Sequence, residues 1–234
     1  MQAAKVNQQQ VSPDVSLAIP ADVEAGQAVY TPGMLRVYDL WVLGVSNRFI
    51  WRCPTPKLLA WYNRHVTDRH LDIGVGTGYF LDRCRFPTDS PQLALLDLNP
   101  NSLAATAARI ARYAPETFRR NVFEPFDLAA RSFDSIGMNY LLHCLPGDLV
   151  AKRIVFQQAA EVLQPGGVLF GSTLLSSGIR RGYFAKRLMA FYNRKGFFGN
   201  AQDSLGDLQQ TLSQTFSRVE ILTVGCVALF AAWK

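Results

Sequence analysis

The stretch HLDIGVGTGYF at residues 70–80 constrains the fold more than any other part of the chain. It brings together a short apolar run, an acid at Asp72, and glycines at Gly74, Gly76 and Gly78. An apolar run ending in glycines reads as a buried strand that opens into a tight turn before a helix. Glycines there let the backbone bend sharply and let a ligand lie against it with no Cβ in the way. The dinucleotide fingerprint G-x-G-x-x-G would need glycine where Tyr79 stands; here the third glycine falls at Gly78. The acid separates the ligands further, because Asp72 repels a pyrophosphate and attracts an ammonium. The turn therefore suits a ligand with a cationic group here and a ribose further along.

Around this turn the chain alternates strands and helices. RHLDIGV and QLALLDL read as short strands, and residues 101–114 as an alanine-rich helix behind Asn99 and Pro100. FDSIGMNY reads as another strand, and 148–163 as a helix stopped by the Gln-Pro-Gly-Gly turn at 164–167. VLFGSTLL resumes as a strand, and a helix near 204–215 precedes the strands RVEILTV and CVALFAAW. Such alternation predicts a mostly parallel sheet with helices on both faces. The closing pair is too near for a helical crossover and predicts one antiparallel strand. Residues 1–25 are polar and aperiodic and read as a tail. Residues 26–66 read as helical, with Pro32 opening one helix and Thr55 capping a second ahead of Pro56. Residues 67–234 form the main domain.

A chain of 234 residues, 49% hydrophobic and 18% charged, has the material for the core this sheet needs. The formal charge of +6 allows an anionic partner without demanding one. The start has no apolar h-region, and no run approaches the length of a bilayer span. Cys53, Cys84, Cys144 and Cys226 form no CxxC pair, which argues against zinc and for a reducing compartment. The expectation is a cytoplasmic protein with no metal and no membrane partner; a homodimer stays open.

Asp97 ends the second strand nineteen residues after Gly78, where an acid can accept from ribose hydroxyls. An isolated Asp would cap the following helix as readily, and a lone glycine turn is often only a turn. Both acids in one βαβ unit favour the ligand. LDIGVGTG together with LLDLN resembles the class I S-adenosylmethionine-dependent methyltransferases. The resemblance covers about residues 68–234 and implies S-adenosylmethionine as cofactor. It also implies a doubly wound α/β fold with a mostly parallel seven-stranded sheet. Asp72, Gly74, Gly76 and Gly78 would then hold the methionine end, and Asp97 and Leu98 the ribose. Asn121, Val122 and Phe123 of NVFEPF stand where the family holds the adenine. SFDSIGMNYLLHCLP matches the fourth motif, with Asn139 a further cofactor contact beside Tyr140, and LQPGGVLFGSTLL matches the turn and fifth strand.

Methyl transfer from a sulfonium is an in-line displacement, and holding the nucleophile near the methyl is the main requirement. A strong catalytic signature is therefore not expected. His143, following the fourth strand at the C-terminal edge, is the candidate base; a packing histidine between Leu142 and Cys144 is the competing reading. The segment 29–54 resembles the N-terminal helical lid of small-molecule members. Tyr30, Tyr38, Trp41 and Trp51 could line an aromatic pocket, Tyr30 as a second catalytic candidate and Tyr38 as a cofactor contact. Arg48 and Arg52 could pair with the cofactor carboxylate. Aromatics at helical spacing equally form core.

The lid is the reason to expect a small organic acceptor, methylated on O, N or C. The Asn-Pro-Pro-Tyr pattern of base-amine methylation is missing, since Leu141 follows Tyr140, so nucleic acid is not the expected partner. Between Arg180 and Lys195 there are six basic residues and no acidic one. With Phe184, Leu188 and Phe191 at helical spacing, this predicts an amphipathic helix with a basic face. RNA methylation is the first rival on that ground. A cofactor-binding protein, or a cyclase that transfers no methyl group, is the second.

Overall fold

The computed structural model describes residues 39–128 and 132–234. Tyr30 and Tyr38, expected at the site, lie outside the described residues, as does the first part of the expected lid, residues 26–38. The first described element is a wide, π-type helix α1 (Asp39–Ile50), followed by α2 (Thr55–His65). Strand β1 (Arg69–Ile73) leads through the glycine turn into the short α3 (Tyr79–Arg83). Then come β2 (Gln92–Asp97), α4 (Pro100–Arg109), β3 (Glu116–Arg119) and β4 (Phe133–Asn139). Helix α5 (Arg153–Val162) runs directly into β5 (Leu163–Leu174), which is followed by α6 (Tyr183–Arg194) and α7 (Leu205–Ser213). Strands β6 (Arg218–Val224) and β7 (Val227–Trp233) close the domain.

The seven strands lie in the order β3-β2-β1-β4-β5-β7-β6. All neighbours are parallel except those of β7, which runs antiparallel to both β5 and β6. The order reverses between β1 and β4, and the crevice outside their carboxyl ends is where such sheets bind ligands. Both faces of the sheet are buried, and the two-residue period divides β7 cleanly. Ala228, Phe230 and Ala232 join one apolar cluster, whereas Val227, Leu229 and Ala231 join the other. Leu71 and Ile73 of β1 face the first cluster, leaving His70 and Asp72 on the face that carries α2. Helix α2 meets that face with Leu58, Trp61, Tyr62 and His65, one stripe at helical spacing.

Three local expectations need correction. Thr55 does not cap α2: Pro54 takes that position, and the Thr55 hydroxyl donates to the Leu43 carbonyl and accepts from Asn47 Nδ2 at 3.0 Å. The Gln-Pro-Gly-Gly turn is not a gap before β5 but a distortion within it. Phe133 pairs with Leu163 and Ser135 with Val168, and the bulged turn is tied to the last strand by Lys234 N donating to Gly167 O at 3.1 Å. Helix α6 buries Ala185 and Met189, with Leu188 and Tyr192 partly covered, while Phe184 is 76% exposed. The covered stripe is thus Ala185, Leu188, Met189 and Tyr192, and Phe184 and Phe191 face outward.

Candidate active site

The glycine turn is held at both ends by backbone bonds, Gly74 N donating to Leu96 O and Gly78 N to Val75 O, each at 2.9 Å. Its glycines have separate tasks. A Cβ on Gly78 would stand 2.8 Å from Thr106 Cγ2 and 3.2 Å from Thr106 Cα, so α4 can pack under the turn only if that residue is glycine. Gly76, at φ +53°, would point a Cβ into open space, with no protein atom within 4 Å.

That space is a narrow cavity walled by Leu43, Asp72, the turn from Gly74 to Gly78, Asn139 and Tyr140. Asp72 is buried and accepts a hydrogen bond from Tyr62 Oη at 2.7 Å. Asn139 accepts from Ser172 Oγ at 3.0 Å, while its Nδ2 is buried with no hydrogen-bond partner. Tyr140 is a non-glycine residue at φ +57°, a strained conformation of the kind found at ligand sites. Its hydroxyl donates to Asn47 Oδ1 at 2.8 Å, which ties the end of β4 to α1 and brings Leu43 over the cavity.

The remaining expected cofactor residues lie further along the same edge, on the ends of the next strands. Asp97 Oδ1 accepts from Asn99 N at 2.8 Å. Burial pushes the Asp97 carboxyl up to about 6, while the N–H groups of Asn99, Gly76 and Val75 pull the other way. Leu98 is half-buried, and its carbonyl accepts from Arg119 Nε at 3.2 Å. Beyond β3, Asn121 and Val122 are buried and Phe123 half-buried, with Asn121 Oδ1 accepting from Phe123 N at 3.1 Å. From β3 to β4 is three strand spacings, about 14 Å of edge. None of these five residues is on the cavity wall itself.

His143 stands behind the wall, in a short turn of helix, edge-on to the rings of Tyr140 and Phe198. Burial, with help from the nearby Lys152 cation, lowers its pKa to about 3. Its Nδ1 faces the Leu174 N–H at 3.4 Å. The ring is uncharged at neutral pH and a weak proton acceptor. Trp51 is core, tilted against Phe198 at 6.3 Å. Arg48 is exposed on a depression adjoining the cavity, and Arg52 is exposed beside Gly182, off the cavity wall. Sequence reasoning missed Leu43, Asn47 and Tyr62. Each sits at a helical position that reads as ordinary core. Among the described residues no group of three or more His, Cys, Asp or Glu could hold a metal ion. No described helix is long and apolar enough to cross a membrane.

Residues 71–169 match the family model for a methyltransferase domain. Demethylluteothin O-methyltransferase of Streptomyces thioluteus is 44% identical over 215 residues, which is 92% of this chain and 94% of that protein. The physcion biosynthesis cluster O-methyltransferase of Aspergillus chevalieri is 37% identical over 213 residues, 90% of this chain and 96% of that one. Among solved structures, the fold is shared with N-methyltransferase NodS from Bradyrhizobium japonicum in complex with S-adenosylhomocysteine. The TM-score is 0.58 at 15% identity, over 91% of this chain and 96% of that one. With the glycine turn between two acids, the reversal of strand order beside it, and relatives matched along nearly their whole length, the chain belongs to the class I S-adenosylmethionine-dependent methyltransferases.

Proposed function

We propose that this enzyme transfers the methyl group of S-adenosylmethionine to a hydroxyl oxygen of a small organic acceptor. The observation that carries this is the match to relatives named for O-methylation, which runs through about nine-tenths of the chain. Three features of the cavity suit the cofactor: an acid facing it, an Asn139 Nδ2 buried without a partner, and open space at Gly76. In this reading Asp72 takes the ammonium group and the turn from Gly74 to Gly78 lies against the methionine part. Asp97 and Leu98 take the ribose, and Asn121, Val122 and Phe123 border the adenine. Once bound, the cofactor supplies a methyl group on a positively charged sulfur.

The chain's contribution is then to hold the acceptor oxygen in line and to keep water out, an effect worth on the order of 7–11 kcal/mol. Leu43 and Tyr140, joined through Asn47, form the cover under which this happens. With its ring uncharged, His143 supports the position of Tyr140. An enol or phenol acidic enough to be partly ionised at neutral pH would need no stronger base. To test the reading, the protein is incubated with methyl-labelled cofactor and a panel of phenols, enols and amines that includes demethylluteothin. Label recovered as a methyl ether is the expected result; label recovered only on nitrogen, carbon or RNA would overturn it.

Asp97 gives a separate expectation. Ribose hydroxyls donate to a carboxylate, so the ionised form binds the cofactor and the protonated form does not. With a group near 6, affinity for S-adenosylhomocysteine falls about tenfold from about pH 7.5 to 5. Asp97→Asn binds weakly at both and removes the dependence. In the free protein the sign is opposite. A carboxyl raised from 3.8 to about 6 stabilises the fold at acid pH, and that contribution is lost as pH rises through 6.

A further inference from the structure

Behind Asp72 the core contains a continuous run of polar groups that apolar packing does not require. Tyr62 Oη lies 2.7 Å from Asp72 Oδ2 and 2.8 Å from His70 Nε2. Across the imidazole, His70 Nδ1 lies 2.8 Å from Ser135 Oγ on β4. Ser135 Oγ in turn lies 2.8 Å from Thr67 Oγ1 and accepts from Thr67 N at 3.0 Å. Tyr62, His70 and Ser135 are wholly buried, and of the run only Asp72 reaches the cavity.

A carboxylate only accepts, and with a neutral imidazole at His70 this decides the protons along the run. Tyr62 Oη–H donates to Asp72, His70 Nε2–H donates to Tyr62 Oη, and Ser135 Oγ–H donates to His70 Nδ1. Thr67 then donates to Ser135. Every donor points toward Asp72, an arrangement in which successive bonds polarise one another. The surroundings keep it in place. Phe80 stacks on Tyr62 with 9° between the rings, and Phe170 lies over His70 at 28°. Gly137 pairs with Asp72 across the β1–β4 ladder, and a Cβ there would stand 2.8 Å from Asp72 Oδ2 and 3.1 Å from His70 Nε2. That strand position leaves room for the run and for nothing larger.

We propose that Tyr62 and His70 are positioning residues that hold Asp72 as an aimed carboxylate for the ammonium group of the cofactor, with Ser135 setting the tautomer of His70. The proposal rests on the assignment of Asp72 to that group, and the test separates the two. Calorimetry measures S-adenosylhomocysteine, which carries the ammonium, and 5′-methylthioadenosine, which lacks the whole amino-acid part. In Tyr62→Phe, where the ring stacking survives, S-adenosylhomocysteine is expected to bind about tenfold more weakly while methylthioadenosine is unchanged. Ser135→Ala has the same selectivity with a smaller loss, about threefold. Asp72→Asn is the control. If Asp72→Asn weakens S-adenosylhomocysteine selectively but Tyr62→Phe does not, the positioning role is wrong and the Asp72 assignment stands. If neither has an effect, the Asp72 assignment itself fails and takes the proposal with it. Equal loss of both ligands in Tyr62→Phe assigns the tyrosine to general packing and also overturns the proposal.

Discussion

Gly76→Val loses at least about a hundredfold in affinity for S-adenosylhomocysteine, roughly 2.7 kcal/mol, while the sheet stays folded. Two effects add. The position has φ +53°, where a β-branched residue is strained, and on this lining residue of the cavity a Cβ meets no protein atom within 4 Å. Because no protein neighbour is displaced, the damage falls on the ligand. Gly78→Ala makes the opposite case, since its Cβ meets Thr106 at 2.8 Å and the cost falls on the packing of α4 under the turn. Calorimetry and a thermal melt on both variants distinguish them. Normal binding by Gly76→Val would mean that no ligand approaches the backbone there.

The second large effect concerns stability. Lys152 and Asp203 form an ion pair at 2.8 Å with both side chains wholly buried, and Lys152 Nζ also donates to Gly199 O at 3.0 Å. Removing one partner strands the other charge, so Lys152→Met should cost about 3–5 kcal/mol. In a domain of this size that corresponds to a midpoint lower by roughly 10 °C. Burial already raises the Asp203 carboxyl to about 6 against the pull of Lys152. Its folded value lies above the unfolded one, so ionisation opposes folding, and the penalty grows as pH rises. Without the Lys152 cation the Asp203 carboxyl rises further still, so the deficit of Lys152→Met shrinks as pH falls toward about 6, below which Asp203 is protonated in both proteins. Adding Asp203→Leu recovers most of the loss at neutral pH. A deficit that does not change with pH would mean that the pair contributes shape rather than charge.

The parts of this molecule that follow a period were legible in the sequence. The strands at 69–73, 92–97 and 133–139 appear as short apolar runs, and the closing pair appears through its turn at Gly225. The antiparallel strand was deducible because a short turn cannot cross a sheet. What stayed hidden depends on partners far apart in sequence. Tyr62 and Ser135 are 73 positions apart and meet only through His70, and nothing in their local context marks them as other than core. In α6, Phe184, Leu188 and Phe191 were read as the buried stripe, yet Ala185 and Met189 are the residues covered. Apolar character alone could not choose between stripes one position apart, because which one is covered depends on neighbours distant in sequence. His143 looked like a base because of where it stands on the edge, and its depth behind Tyr140 was not visible from spacing.

Strand β7 is the last of the seven in chain order, yet it is inserted between β5 and β6. Strand β6, made earlier, therefore has no place in the sheet until residues after it have been synthesised. A ribosome-bound chain lacking these residues holds an unpaired edge on β5 with Phe170 and Leu174 on it, an open template for another chain. Completion of the sheet thereby waits on residues 227–233, and folding relies on contacts about sixty residues apart, which form slowly. A stop before β7 would remove the strand that two others pair with, so fragments ending there should be aggregation-prone rather than weakly active. Quality control in the cell would then see an all-or-none product.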